Sequence, residues 1–189
     1  MAEVFNHIIL ACWIIFLVYW ILNARRVKKT EEKQSRLSSL IHRIPLGMSY
    51  YLMANWQLPA PFDQALTPHT NFTRMADCLI CVLGLFVTIW ARRVLAGNWS
   101  SDVTFKHGHE LIKIGPYRFV RHPIYTGLLV MCLGTAIEIG KVRGWLALPL
   151  MVIAFWIKLK QEERLLLRHF PDEYPAYQKQ VKSLVPFVV

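Results

Sequence analysis

The chain has 189 residues, 54% of them apolar, 13% aromatic and only 18% charged. That apolar share lies above the roughly 45–50% of an average soluble domain, so a single membrane-embedded domain is the expected class. The net charge of +10 would suit phosphate binding in a soluble chain. Here the basic residues cluster beside apolar runs and no nucleic-acid motif is present, which excludes nucleic acid as the expected partner.

The first element is the run "IILACWIIFLVYWIL" over residues 8–22. With Val4 and Phe5 it approaches the ~20 residues that a spanning helix needs. Glu3 precedes it and "RRVKK" follows it. A cleaved signal would carry its positive charge in front, so this run is expected to be a retained span. A second, weaker span is expected over Ile44–Phe62, which is uncharged but contains Pro45, Asn55, Gln57 and Pro59. A third covers Cys78–Leu95, with Arg92 and Arg93 near its end, and two more, Pro123–Gly140 and Gly144–Lys160, are joined by a short turn. Several of these centres are short and rely on flanking Arg and Lys to snorkel. Cys12, Cys78, Cys81 and Cys132 all fall inside apolar runs. The CxxC spacing of Cys78 and Cys81 has no second ligand pair, so buried free thiols are expected and no metal site is.

Orientation follows from the basic residues. Seven Lys and Arg lie between spans one and two, six between Arg92 and Arg121, and six from Lys158 onward, against Arg74, Lys141 and Arg143 on the other side, a division of 19 to 3. The positive-inside rule then predicts an all-α bundle of about five transmembrane helices, N-terminus outside and C-terminus cytoplasmic. Two long polar stretches, Gly97–His122 and the tail from Gln161, share the cytoplasmic side. The expected division is therefore residues 1–96, three helices with their connections, and residues 97–189, which hold a site open to the cytosol.

The most informative stretch is "RFVRHPIYTG", residues 118–127. Pro123 marks the first turn of a helix, where a missing N–H costs nothing. His122 then sits at the N-cap. The helix N-terminus, Arg118 and Arg121 together make a site suited to a carboxylate or phosphate. The arginines also fit ordinary anchoring at lipid headgroups, and His122 fits capping. Gly127 and Gly134 share a face that admits close backbone approach, which fits helix packing as well as a site. On the last span, Lys158 and Glu162 are four apart and Lys160 and Glu163 three apart, a spacing that allows surface pairing. A carboxylate at this boundary also suits a ribose diol.

The block "GHELIKIGPYRFVRHPIYTG", followed by "EERLLLRHFPDEYPAYQKQVKSLVPFV", resembles the isoprenylcysteine carboxyl methyltransferase family, whose wider relatives include phospholipid N-methyltransferases. The likeness covers roughly residues 97–188 and rests on HxLI, GPY, RHPxY, the acid pair and FxxEYxxY as a set. RHPxY alone is shared with NADPH-dependent membrane reductases.

The resemblance implies a multi-pass helical enzyme that uses S-adenosylmethionine without a Rossmann fold. Cofactor binding is then implied for His109, Glu110, Leu111, Ile112, Tyr117, His122, Pro123, Ile124, Tyr125 and Glu162. Lys158 replaces the family's substrate-contacting arginine and keeps the charge without the bidentate fork. Pro171 stands where the family often has glycine. Lys158, with Arg121 or Arg118, is expected to position the acceptor. The acceptor implied is a lipid-like or prenylated cysteine carboxylate, entering among membrane lipids. An amine phospholipid or a small thiol is the alternative acceptor, and a reductase is the more distant one.

Overall fold

The computed structural model describes residues 2–24, 30–33, 36–100, 103–106, 108 and 110–186. It is a helical bundle with one short ribbon. Helices α1 (Ala2–Ala24), α2 (Arg36–Ala54), α3 (Asn71–Leu95), α4 (Pro123–Ile139), α5 (Val142–His169) and α6 (Glu173–Gln180) carry the fold. Strands β1 (Thr30–Lys33) and β2 (Thr104–Lys106) pair antiparallel, with Thr30 opposite Lys106 and Lys33 opposite Thr104. That ribbon places Thr30–Lys33 beside Thr104–Lys106.

Three helical segments are long and apolar enough to cross a membrane: Glu3–Ala24, Asn71–Asn98 and Val142–His169. Helix α4 is apolar but shorter, at 17 residues. Along α1, Ile14, Ile15, Leu17, Val18, Ile21 and Leu22 are exposed while Ile9, Cys12 and Phe16 are buried. One narrow stripe of α1 therefore packs on the bundle, and the rest presents the apolar surface expected of a lipid-facing helix. All four cysteines are buried free thiols.

The second element differs from expectation. Helix α2 starts at Arg36 and ends at Ala54, so it begins before Ile44 and stops short of Phe62. Beyond it, Asn55 Oδ1 accepts from Gln57 N at 3.0 Å, and Pro59 and Pro61 offer no N–H to continue a helix. The end of α2 is closed from outside, where Arg143 Nη1 donates to the carbonyls of Leu52 and Met53 at 3.1 and 3.0 Å. The helix overlaps the expected span only over residues 44–54, and α2 is not among the described helices apolar enough to cross a membrane. The following loop folds onto the α4–α5 turn, with Leu66 N and Thr67 N donating to Gly140 O. Gly140 adopts φ 62, a left-handed cap that favours glycine.

Helix α3 packs on α4 and α2 on α5. The α3–α4 crossing brings backbones together. A Cβ on Gly127 would lie 2.2 Å from Thr88 Oγ1, and one on Gly84 2.6 Å from Gly127 O. Gly134 meets Asp77 O at the same 2.6 Å. Without a hydrophobic driving force between helices in lipid, such close packing is a main source of association. Gly127 and Gly134 are thus packing glycines, Gly127 against Gly84 and Thr88 of α3 and Gly134 against Asp77 and Cys81.

Candidate active site

A cleft opens where the C-terminal end of α3, the start of α4 and the end of α5 converge. It has about 720 Å³ of empty space, its solvent mouth included. Tyr117, Arg121, His122, Ile124, Tyr125 and Glu162 line it. The short turn Gly115–Arg118 delivers Tyr117, and Pro123 occupies the first position of α4 with His122 as N-cap. The imidazole makes no capping bond, so the ring is turned to other work.

That work is electrostatic. His122 Nδ1 lies 3.5 Å from Glu162 Oε2, and Nε2 lies 3.4 Å from Glu163 Oε1. A neutral imidazole has one donor, and only the imidazolium can serve two carboxylates. Burial alone would push the His122 imidazole down, but its bonds and attraction to Glu162 and Glu163 hold it above its ordinary value of 6.5. His122 is 8% exposed, so these charges interact with little screening by water.

The adjacent acids divide. Glu162 lines the cleft and accepts from Tyr125 Oη at 2.5 Å. Glu163 turns away and takes Arg121 Nε at 2.9 Å and Nη2 at 2.6 Å. Lys160 Nζ adds a contact to Glu163 at 3.6 Å, the surface pairing that the spacing allowed. The Tyr125 ring stacks on His122 and on Phe155, and Lys158 Nζ lies 5.4 Å from its centroid.

Arg121 also ties down the tail. Its Nη2 donates to Ser183 Oγ at 2.7 Å, and its Nη1 to the carbonyls of Gln178 and Val181. Arg121 N donates to Lys182 O, His122 N to Ser183 O, and Thr126 Oγ1 to Leu184 O. Tyr177 Oη closes the same seam on Tyr117 O. Residues 181–184 thus form a strap across the start of α4.

Of the other expected residues, Pro123 and Ile124 are buried at the base of α4. Ile112 packs against the core and Leu111 is partly buried, and neither lines the cleft. Glu110 is exposed, and its carbonyl accepts from Asn98 Nδ2 at 3.4 Å. Arg118 is exposed with its guanidinium over Phe119, outside the cleft lining. His109 lies outside the described residues.

Sequence reasoning missed the α3 side of the cleft: Leu95, Asn98, Trp99, Ser100 and Thr104. Nothing in their local pattern marks them. Leu165 and Leu166 also line it, and these were recoverable, being three and four residues beyond Glu162 on one helix face.

The sequence profile of the phospholipid methyltransferase family matches residues 72–173. Among curated proteins, the chain is 27% identical over 125 residues to the protein-S-isoprenylcysteine O-methyltransferase of Saccharomyces cerevisiae, covering 63% of this chain and 51% of the relative. It is 32% identical over 119 residues to the protein of that name in Homo sapiens, covering 58% and 42%. A probable protein-S-isoprenylcysteine O-methyltransferase of Oryza sativa subsp. japonica is 33% identical over 87 residues, covering 46% of each. The chain spans about half the length, or less, of these relatives.

Proposed function

The chain belongs to the phospholipid methyltransferase family, and from that premise we propose that it is an S-adenosylmethionine-dependent carboxyl methyltransferase of an isoprenylcysteine-like acceptor. The observation that carries the choice of acceptor is the His122–Glu163–Arg121 chain of ion pairs. An amine acceptor must lose a proton and needs a base. His122 faces a carboxylate with each ring nitrogen, and Glu163 is committed to Arg121. A carboxylate acceptor is already ionised at neutral pH, so a site without a spare base suffices.

The cleft suits the cofactor. Glu162 uses one oxygen for Tyr125 and faces His122 with the other, and a carboxylate has about four lone-pair sites, so ribose hydroxyls can still be accepted there. Bound S-adenosylmethionine supplies an activated methyl group. The protein's part is to align and to exclude water. Glu162 holds the ribose, and the positive start of α4 faces the cofactor's carboxylate. His109, Glu110, Leu111, Ile112, Tyr117, Pro123, Ile124 and Tyr125 complete the cofactor side in this reading. Lys158, one turn before Glu162, positions the acceptor carboxylate. Arg121 adds positive charge to that wall while its donors hold the strap, and Arg118 would reach the acceptor only by swinging inward.

The same reading takes α1 to α5 as five spans, with the N-terminus outside and residues 97–189 placing the cleft on the cytoplasmic side. The distribution of Lys and Arg supports that orientation. The prenyl chain then enters from the bilayer and the cofactor from the cytosol.

The test is calorimetric titration of the purified protein in detergent with S-adenosylmethionine and, in parallel, NADPH. It is followed by methyl transfer from labelled cofactor to a farnesylcysteine derivative, phosphatidylethanolamine and a small thiol. Cofactor binding with transfer to the farnesylcysteine carboxylate is the expected result. Transfer to the amine lipid alone would overturn the acceptor assignment, and binding of NADPH alone would overturn the reaction class.

A further inference from the structure

Helix α2 turns its polar side inward. Leu37, Leu40, Ile41, Ile44, Met48 and Tyr51 are exposed, while Ser39, His42 and Ser49 are buried. A helix facing lipid is apolar outside, and polar groups kept within such a bundle need partners. The partners are on α5. Ser49 Oγ donates to Ala147 O at 2.8 Å. Nearer the cleft, His42 Nδ1 lies 2.9 Å from Gln161 Oε1. Gln161 Nε2 in turn donates to Ser38 O at 2.9 Å and to Ser38 Oγ at 3.2 Å.

This chain of bonds fixes the ring. A carbonyl can only accept, so the amide nitrogen of Gln161 faces Ser38 and its oxygen faces the imidazole. His42 Nδ1 therefore carries the hydrogen of the bond. The ring is 2% exposed and is not among the described residues lining the cleft. What it does to the site it does through Gln161.

Gln161 lies three residues beyond Lys158 and one before Glu162. At about 3.6 residues per turn, Lys158 leaves α5 between those two side chains. They are held from different helices. Glu162 takes its contacts from Tyr125 and His122 at the start of α4, and Gln161 takes its contacts from His42 and Ser38 of α2. Lys158 Nζ stands 5.4 Å from the Tyr125 centroid, and the charges of Lys158 and Glu162 both act on the His42 ring. Glu162 keeps its own anchors on α4 whatever α2 does. The bond to His42 fixes the other side of this turn of α5, and with it the stand of the Lys158 ammonium.

We infer that His42 is a positioning residue for the acceptor: through Gln161 it sets the turn of α5 that presents Lys158, so α2 tunes acceptor affinity without entering the cleft. This rests on the proposed role of Lys158 toward the acceptor carboxylate. It gives a function to a helix outside the region matched by the family profile.

The test measures methyl transfer from labelled S-adenosylmethionine to N-acetyl-S-farnesylcysteine by the full chain, with cofactor affinity read separately by calorimetry. His42→Leu fills the space but offers Gln161 Oε1 no donor. Its KM for the acceptor should rise about three- to tenfold, the effect of one hydrogen bond, with the cofactor Kd held within about twofold. His42→Asn, whose Nδ2 can donate in place of Nδ1, should return that KM to within about twofold of the wild type. Packing alone predicts the reverse order, since leucine keeps the apolar volume and asparagine does not. Gln161→Met removes the acceptor atom, keeps the imidazole and should raise KM as His42→Leu does. It carries the comparison if His42→Leu fails to bind the cofactor. Unchanged KM in Gln161→Met, a His42→Asn variant worse than His42→Leu, or a cofactor Kd that rises in step with KM would overturn the inference and leave the acceptor reading intact. A wild type that binds S-adenosylmethionine but transfers no methyl group to N-acetyl-S-farnesylcysteine would overturn the acceptor reading and this inference with it.

Discussion

Arg121 and Glu163 form a buried ion pair, with Nη2 2.6 Å from Oε1 and side chains only 8% and 5% exposed. The pair joins α4 to α5 and, through Ser183 and the carbonyls of Gln178 and Val181, to the C-terminal strap. Its neighbour Glu162 faces the cleft. Two adjacent acids therefore have separable consequences.

Glu163→Ala leaves a buried guanidinium without its carboxylate and is expected to cost about 3–5 kcal/mol. Thermal unfolding in detergent would register this as a large fall in midpoint. Glu162→Ala, which loses the Tyr125 bond and one of the two His122 contacts, should lower the midpoint less than Glu163→Ala and weaken S-adenosylmethionine binding at least tenfold by calorimetry. Unchanged cofactor affinity in the Glu162 variant would sink its assignment to the ribose.

Removal of residues 181–189 deletes the partners of Arg121 N, His122 N and Thr126 Oγ1, at roughly 1 kcal/mol for each bond. The start of α4 would lose its brace, so cofactor binding should fall along with stability. Ser183→Ala alone removes one bond to Arg121 and should lower stability by about 1–2 kcal/mol, the range for a bond to a charged group, with binding retained.

The pH dependence has a definite sign. His122 faces Glu162 and Glu163 on α5 and lies beside Arg121 and Tyr125 on its own segment. Its folded pKa is raised above the ordinary 6.5. The imidazolium therefore contributes stability in full below about pH 6.5. That contribution is lost as the pH rises through the folded value. Thermal midpoints measured from pH 6 upward should decline across this window in the wild type and decline less in His122→Asn. Parallel profiles would show that His122 carries no charge in the fold.

At the α3–α4 crossing, Gly127→Ala places a methyl group 2.2 Å from Thr88 Oγ1 and 2.7 Å from the Gly84 carbonyl. Because the second neighbour is backbone, the helices must separate, at about 1–3 kcal/mol. Pairing the change with Thr88→Ser would recover little, since the hydroxyl and backbone contacts persist. Unfolding midpoints of the single and double variants would settle this.

The parts that were legible in the chain are those encoded by near neighbours. Continuous apolar runs set the helices, the His122–Pro123 step set the start of α4, and the block from "GPY" to "EYPAY" set the family. Hydrophobic transfer, proline geometry and helix periodicity act over a few residues, so they can be read from a few residues. The ends of α2 show the limit of that logic. An uncharged stretch looks alike whether it is helix or packed loop, and the α4–α5 turn decides which it is by bonding to Leu66 and Thr67. The division of labour between Glu162 and Glu163 and the strap at Ser183 depend on partners from 37 to more than 60 positions away. Each is a matter of which donor meets which acceptor after helices from different parts of the chain have packed. No local pattern carries that information, because a hydrogen bond depends on positions in space and the sequence orders only positions along the backbone.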